Sequence, residues 1–353
     1  MPDHQLDSLC AKVARKTLKE TLHVKKGDAV TVEAWDNGLL FAKHAVAEAR
    51  AMGCTAVMIY ENEAAYVEGV RRAPKDAVGK MGKNEYGLLA ETDAYIFIPG
   101  QVLGAYSKTL KPDEQANSTR YNSSWYDAAA KAGLRGARLT FGYVGKDLAR
   151  LLGKKVEDVV RAQLSAALVD FAKVANAEGL ITPLLVDGRT ATLKSGATTL
   201  RFKLKGDLTA EDGVVDEDDL KSENNMTYLP PGLVTKGVDP ASAEGRVTLT
   251  DTLTKYGVLP EAELEFRGGV IVAAKSGDGR LQKLLDAVAP EKRRLTLFGI
   301  GFNPVLGFGY GQDRFVKGSI TLAGFGFTGL VKKGSLSIGK SAIMDQGRLA
   351  ASA

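Results

Sequence analysis

The chain is poor in the residues that build soft-ligand metal sites. It carries 3 histidines and 2 cysteines in 353 residues. All five (His4, His23, His44, Cys10 and Cys54) fall before residue 55. Zinc and iron sites draw on imidazole and thiolate, so residues 55–353 cannot assemble one alone. Two cysteines exclude a disulfide scaffold and suit a reducing compartment, so a cytoplasmic location is expected. Long apolar runs are missing too. None approaches the ~18 residues that span a bilayer, and no membrane partner is expected. The first ten residues are polar, with Asp3 and Asp7 and no basic or apolar leader, so no secretory signal is expected. The sequons at Asn117, Asn122 and Asn225 then carry little weight. Nor is there an excess of one charge: 47 Lys plus Arg face 42 Asp plus Glu, a net +5. The basic patches Lys292–Arg294 and Lys332–Lys333 are short, whereas nucleic-acid binding needs a stripe, so no such partner is expected.

What remains is an ordinary globular composition, 44% hydrophobic and 25% charged, in a chain long enough for two cores. The first half alternates strand and helix patterns. Residues 28–34, 55–60, 94–100 and 137–142 read as strands, nearly continuous in apolar residues. Between the first two, Phe41, Ala45 and Ala49 repeat at helical spacing until Gly53. Such strands separated by helices predict a parallel sheet covered on both faces. The spacing of Val156, Val160, Leu164, Ala167, Phe171 and Val174 predicts one long helix from Val156 to about Glu178. After residue 180 the texture changes to short strands and glycine turns, with hairpins at 191–205 and 262–274. A helix is predicted at 280–288, and the acidic stretch 211–219 reads as a solvated loop. The fold class is therefore α/β. A parallel-sheet α/β domain is expected over 1–180 and a strand-rich, mixed α+β domain over 181–353.

Single motifs are weak. Gly334 to Ser341 satisfies the phosphate-loop pattern G-x-x-x-x-G-K-S, which cradles phosphates only when a helix follows. Twelve residues remain after Ser341, interrupted by Gly347, so a connection between late strands is the simpler reading and nucleotide binding at Lys340 the unfavoured one. Gly307 to Gly311 lies outside any strand-helix-strand unit and is not a dinucleotide fingerprint. His44 reads as a solvated helix residue, and Cys54 as a small core residue with no histidine placed to activate it. Tyr256, Tyr310, Phe325 and Phe327 read as packing, with a pocket lining as the alternative.

Several segments together resemble the aminopeptidase T family of two-metal aminopeptidases, over almost the whole length. Residues 22–30 resemble its basic-glycine turn and first strand. Tyr228-Leu229-Pro230-Pro231-Gly232-Leu233-Val234 resembles L-P-x-G-E-V, with Leu233 where Glu is usual. Ala243-Glu244-Gly245-Arg246-Val247 resembles its E-G segment, and Phe298 to Pro304 resembles F-G-I-G-T-N-P. Asp313-Arg314 resembles its D-E pair, Gly318 to Ala323 resembles G-T-V-H-I-A, and Ser341 to Gln346 resembles S-x-x-H-x-D.

The resemblance implies a homodimer enclosing a cavity and a dinuclear site of two Glu, two His and one Asp, in which paired metals polarise a carbonyl and supply hydroxide. Carried over one by one, these ligands fall on Glu244, Leu297, Thr321, Met344 and Gln346, with Asp345 one step out of register. One ligand of five is retained. Leucine and methionine cannot replace carboxylate and imidazole on such ions, so no metal cofactor is expected. A related branch with an iron site that opens dihydroxypyridine rings needs the same missing histidines. The leading expectation is a non-metallic homologue with a binding or assembly role. The alternative is a hydrolase of small peptides or amides, with Glu244, Asp313 and Asp345 forming a rebuilt oxygen-ligand site for a divalent metal. Arg246, Asn303 and Tyr310 are the cavity candidates, for a small peptide or other small molecule.

Overall fold

The computed structural model describes residues 4–74, 77, 79–101, 112–254, 257–277 and 279–350, with backbone only over 112–119. Elements are numbered in chain order. The chain forms two compact units, one of residues 1–168 and 213–230, the other of 169–212 and 231–353.

The first unit is a parallel sheet of five strands: β1 (Ala29–Trp35), β2 (Thr55–Glu61), β3 (Ala94–Ile98), β4 (Arg135–Leu139) and β7 (Met226–Leu229). Their spatial order is β2-β1-β3-β4-β7, all neighbours parallel. Helices α1 (His4–Lys16), α2 (Leu39–Ala51), α3 (Glu63–Arg72), α4 (Lys83–Ala90), α5 (Pro112–Ala132), α6 (Lys146–Leu151) and α7 (Val156–Ala167) connect and cover it. One sheet face is the apolar core. Val30, Val32, Ala34, Ile96, Ile98, Ala137 and Leu139 are all buried there, at every second position of their strands. Helix α2 turns Phe41, Ala45 and Ala49 inward, and Phe41 packs on Phe141 with centroids 5.3 Å apart. It ends where expected: Gly53 takes φ +83° and the Cys54 N–H reaches back to the Ala49 carbonyl at 3.1 Å. His44 is not simply solvated; its Nε2 stands 3.0 Å from the Asp7 carboxylate on α1. Cys54 is buried, and its thiol donates to the Lys25 carbonyl.

The second unit is built on antiparallel strands: β5 (Thr190–Ser195), β6 (Thr198–Glu211), β8 (Leu233–Val238), β9 (Glu244–Leu249), β12 (Ala262–Arg267), β13 (Val270–Ser276), β14 (Leu297–Gly301), β15 (Ile320–Ala323), β16 (Gly329–Val331), β17 (Ser335–Ile338), β18 (Ser341–Asp345) and β19 (Arg348–Leu349). They form one 12-stranded sheet, beside a small pair of β10 (Thr252–Thr254) and β11 (Gly257–Leu259). Helices α8 (Phe171–Gly179) and α10 (Arg280–Asp286) belong to this unit. The long strand β6 is shared: it pairs with β5, β8 and β9, its register shifting between Leu204 and Leu208 around Gly206 at φ +97°. The Gly268-Gly269 turn, with both residues at positive φ, closes the β12–β13 hairpin as its sequence predicts.

Three expectations change. The predicted long helix is two, α7 and α8, because the Asp170 side chain caps a fresh start by accepting the Ala172 N–H at 3.1 Å. The acidic stretch is not all loop. Asp216 caps a short helix, α9 (Glu217–Lys221), through the Asp218 and Asp219 amides. The expected single boundary near 180 gives way to units that part at 168, and 213–230 rejoins the first unit because β7 pairs with β4.

Candidate functional site

The strand order reverses direction between β1 and β3: β2 lies on one side of β1, while β3 and the later strands lie on the other. In doubly wound sheets of this order, ligands bind near the carboxyl ends of the strands at that reversal. Here the sheet face under α5 departs from the apolar rule. Register places Glu33 (β1), Phe97 (β3), Arg138 (β4) and Tyr228 (β7) in one row across the sheet. The row two residues earlier holds Thr31, Tyr95, Gly136 and Met226, on the same face. Helix α5 brings Tyr121, Asn122, Trp125 and Tyr126 over these rows, at one-helix-face spacing. With Glu33, Tyr95, Phe97, Arg138 and Met226, these four side chains line a cavity of about 50 Å³. Trp125 meets the Tyr95 ring edge-on at 5.1 Å.

Two ionised-type side chains face this cavity. The Arg138 guanidinium donates to the Tyr126 hydroxyl at 3.1 Å and lies 3.5 Å from the hydroxyls of Tyr143 and Tyr228. It stacks over the Phe97 ring, 5.0 Å from its centroid, and near Tyr228 at 5.5 Å. Its Nε is buried without a hydrogen-bond partner. Burial works against its charge, but the oxygens of Tyr143, Tyr126 and Tyr228 outweigh that and hold the proton. Among the described residues, no ion pair satisfies this arginine, an uncommon state for a charge inside a protein. Glu33, at the other end of the row, accepts a hydrogen bond from the Tyr95 hydroxyl. Burial pushes its carboxyl above the ordinary range. Tyr95 and Arg138 pull against that, and the nearby carboxylates of Glu61 and Glu85 add to it. Glu85 itself accepts from the Tyr121 hydroxyl and from the Gly82 N–H, tying α4 to the cavity wall.

Sequence patterns did not single out this site. Its residues come from four strands and a helix, with no short spacing to reveal them. A signal was present, however: Glu33 and Arg138 interrupt strands that otherwise read as buried, where an ionisable residue needs a reason.

The residues that the sequence resemblance nominates lie in the second unit, and two of them, Glu244 and Met344, face opposite sides of the sheet. Glu244 opens β9, exposed, its carboxylate accepting the Gly268 N–H at 2.6 Å. Met344 is buried in β18, in a row with Leu336, Leu193 and Leu200. Glu244 pairs with Arg201, one residue out of that row, and so points to the opposite sheet face. Leu297 and Thr321 share a face on neighbouring strands, and the Thr321 hydroxyl is buried without a partner. Gln346 sits exposed in the turn after β18, its N–H held by the Ser335 hydroxyl. That hydroxyl donates to Asp345 at 2.8 Å. Asp313 is spent on loop structure, accepting the Gly309 and Tyr310 amides, with Lys332 at 3.8 Å. Of the five nominated positions Glu244 alone carries a carboxylate or imidazole, and it faces away from Met344. Among the described residues, no three or more His, Cys, Asp or Glu side chains are placed to hold an ion.

The cavity candidates of that unit have structural partners. Arg246 pairs on the surface with Glu265 and Glu263. Asn303 is fully buried, donating to the Pro231 carbonyl and accepting the Val305 and Leu306 amides, and it does line an open cavity of about 500 Å³ with Lys317 and Arg348. Tyr310 lies in the loop that Asp313 organises. Phe325 packs edge-on against Phe266 and Phe327, and Tyr256 lies outside the described residues. The phosphate-loop pattern is a β-hairpin: Gly339-Lys340 is the two-residue turn between β17 and β18, with no helix after it among the described residues.

No family model and no curated protein matches the chain. Solved structures do. Wild-type AmpT from Thermus thermophilus matches with a TM-score of 0.64 at 15% identity, over 98% of this chain and 99% of that one. A 2,5-dihydroxypyridine dioxygenase from Pseudomonas putida KT2440 matches with a TM-score of 0.67 at 13% identity, over 98% of each. At such identities the likeness is one of fold, and this chain has the AmpT-like fold. No helix among the described residues is long and apolar enough to cross a membrane.

Proposed function

We propose that the chain keeps the AmpT-like fold without two-metal chemistry, and acts as a binding protein for a small carboxylate seated on Arg138. The observation that carries this reading is the Arg138 guanidinium, lining a cavity with its Nε buried and without a partner. A planar guanidinium matches a carboxylate in two parallel hydrogen bonds, and burial strengthens them. The aromatic walls supply apolar contact for the rest of the ligand. At about 50 Å³ the cavity is well below the ~150 Å³ that admits a benzene, so the bound part is short. The residue types Leu297, Thr321, Met344 and Gln346, with Glu244 and Met344 on opposite sheet faces, support the non-metallic half of the proposal.

The test is thermal unfolding with acetate, propionate and benzoate against matched chloride. Acetate and propionate should raise the melting temperature, by the equivalent of about 2.7 kcal/mol at a hundredfold excess over Kd. Arg138→Met should abolish the shift and Arg138→Lys should weaken it. No shift in the native protein, or the same shift in Arg138→Met, would overturn the assignment. Elemental analysis checks the other half: stoichiometric zinc, cobalt or manganese in the purified protein would refute it. Homodimerisation, implied by the sequence resemblance, belongs to the same proposal and is read by light scattering on a sizing column.

A further inference from the structure

The carboxylate reading leaves the other end of the cavity unused. Glu33 and Arg138 stand in one row two strand spacings apart, with Phe97 between them. Their backbones are therefore about 10 Å apart. They face one cavity with opposite formal charge, yet among the described residues they do not form an ion pair with each other. The Glu33 end is rich in negative charge, since Glu61 and Glu85 lie within electrostatic reach. The rings of Tyr95, Tyr121 and Trp125 line the same cavity, and aromatic faces attract cations. The cavity is thus bipolar: guanidinium at one end, carboxyl and aromatic rings at the other.

Resting on the carboxylate reading, we infer that the ligand is a short amino acid zwitterion, with its carboxylate on Arg138 and its ammonium against Glu33. A zwitterion satisfies both ends without adding net charge to the interior, where unbalanced charge is costly. The small volume favours the smallest members of that class, glycine ahead of alanine or β-alanine. An ammonium beside Glu33 favours the ionised carboxylate, so binding displaces a proton to solvent wherever Glu33 holds one in the free protein. Affinity then rises with pH until Glu33 is ionised in the free protein. The other groups facing Glu33 are Tyr95 on β3, Tyr121 on α5, Glu61 on β2, Glu85 on α4 and Arg138 on β4. Burial raises both tyrosines, so they stay neutral across that range.

The experiment is calorimetric titration with glycine, alanine, β-alanine, propionate and propylamine, on the native protein, Glu33→Gln and Arg138→Met. The expected result is that at least one amino acid binds ten-fold or more tighter than propionate. Glu33→Gln should remove that advantage while leaving propionate affinity within two-fold. At pH 4.5, the ordinary carboxyl value, where Glu33 is mostly protonated in the free protein, the binding enthalpy should differ between buffers of high and low ionisation enthalpy, reporting proton release, and that difference should vanish in Glu33→Gln. If propionate binds as tightly as every amino acid, or Glu33→Gln weakens both alike, the zwitterion inference is wrong and the carboxylate reading stands. If neither propionate nor any amino acid binds the native protein, both fall.

Discussion

Glu178 offers a quantitative test of how the second unit handles buried charge. It lies near the end of α8 with 2% of its surface exposed, and neither carboxylate oxygen has a hydrogen-bond partner of normal geometry. Burial, with Asp212 and Glu211 nearby, pushes its carboxyl from an ordinary 4.5 up to about 8, and the Leu233 amide acts in the opposite direction. The sign follows from proton counting. The folded form holds the proton more tightly, so stability is fully present below 4.5 and is lost as pH rises towards 8. Each pH unit in that window costs ~1.4 kcal/mol, giving about 3 kcal/mol by pH 7 and about 5 kcal/mol above pH 8. At 2% exposure, solvent screening makes little reduction. Glu178→Gln keeps the shape and removes the ionisation. Urea unfolding of both proteins from pH 4.5 to 8.5 should show the glutamine variant gaining on the native protein by about 3 kcal/mol between pH 4.5 and 7. Both tryptophans, Trp35 and Trp125, belong to the first unit, so far-UV circular dichroism is the suitable probe of the second. Stability curves that run parallel to within about 0.5 kcal/mol would refute the claim that this carboxyl is buried neutral.

Two further outcomes test the turns. Gly269 has φ +79°, and a Cβ there would stand 1.7 Å from the Pro240 carbonyl oxygen. Gly269→Ala should cost at least about 2 kcal/mol, seen as a lower midpoint in denaturant, and an unchanged midpoint would contradict the β12–β13 turn geometry. Lys340 lies in a hairpin turn, so ATP should not shift the melting temperature, and Lys340→Ala should change stability by no more than about 0.5 kcal/mol. An ATP-dependent shift that Lys340→Ala abolishes would restore the nucleotide reading.

The parallel sheet was legible because its strands are nearly continuous in apolar residues, as Ala94 to Ile98 is, and a stretch of helical spacing separates the first two. The two predicted hairpins were legible because Gly196 and Gly268-Gly269 sit where two-residue turns need glycine. The break between α7 and α8 was not. Apolar spacing continues across it, and one capping aspartate, Asp170, decides the matter locally. The second unit's sheet faces were not legible either. Glu244 and Met344 look equivalent as motif neighbours, but whether two strand residues share a face depends on register across four strands, which only pairing fixes. The Glu33–Arg138 cavity was hidden for a related reason. Its two ends are 105 positions apart in sequence and meet only because β3 lies between β1 and β4.

The return of residues 213–230 to the first unit also sets a schedule for synthesis. Strand β7 covers the open edge of β4, and it follows more than forty residues that belong to the other unit. A ribosome adding about 5–20 residues per second leaves that edge uncovered for roughly 3–12 s between residues 168 and 230. During this interval β4 presents unpaired backbone groups on a nascent chain, a natural point of engagement for a chaperone. A fragment ending near residue 180 would carry the same open edge permanently, so neither half of this protein can be cut out at one position and expected to behave as it does in the whole.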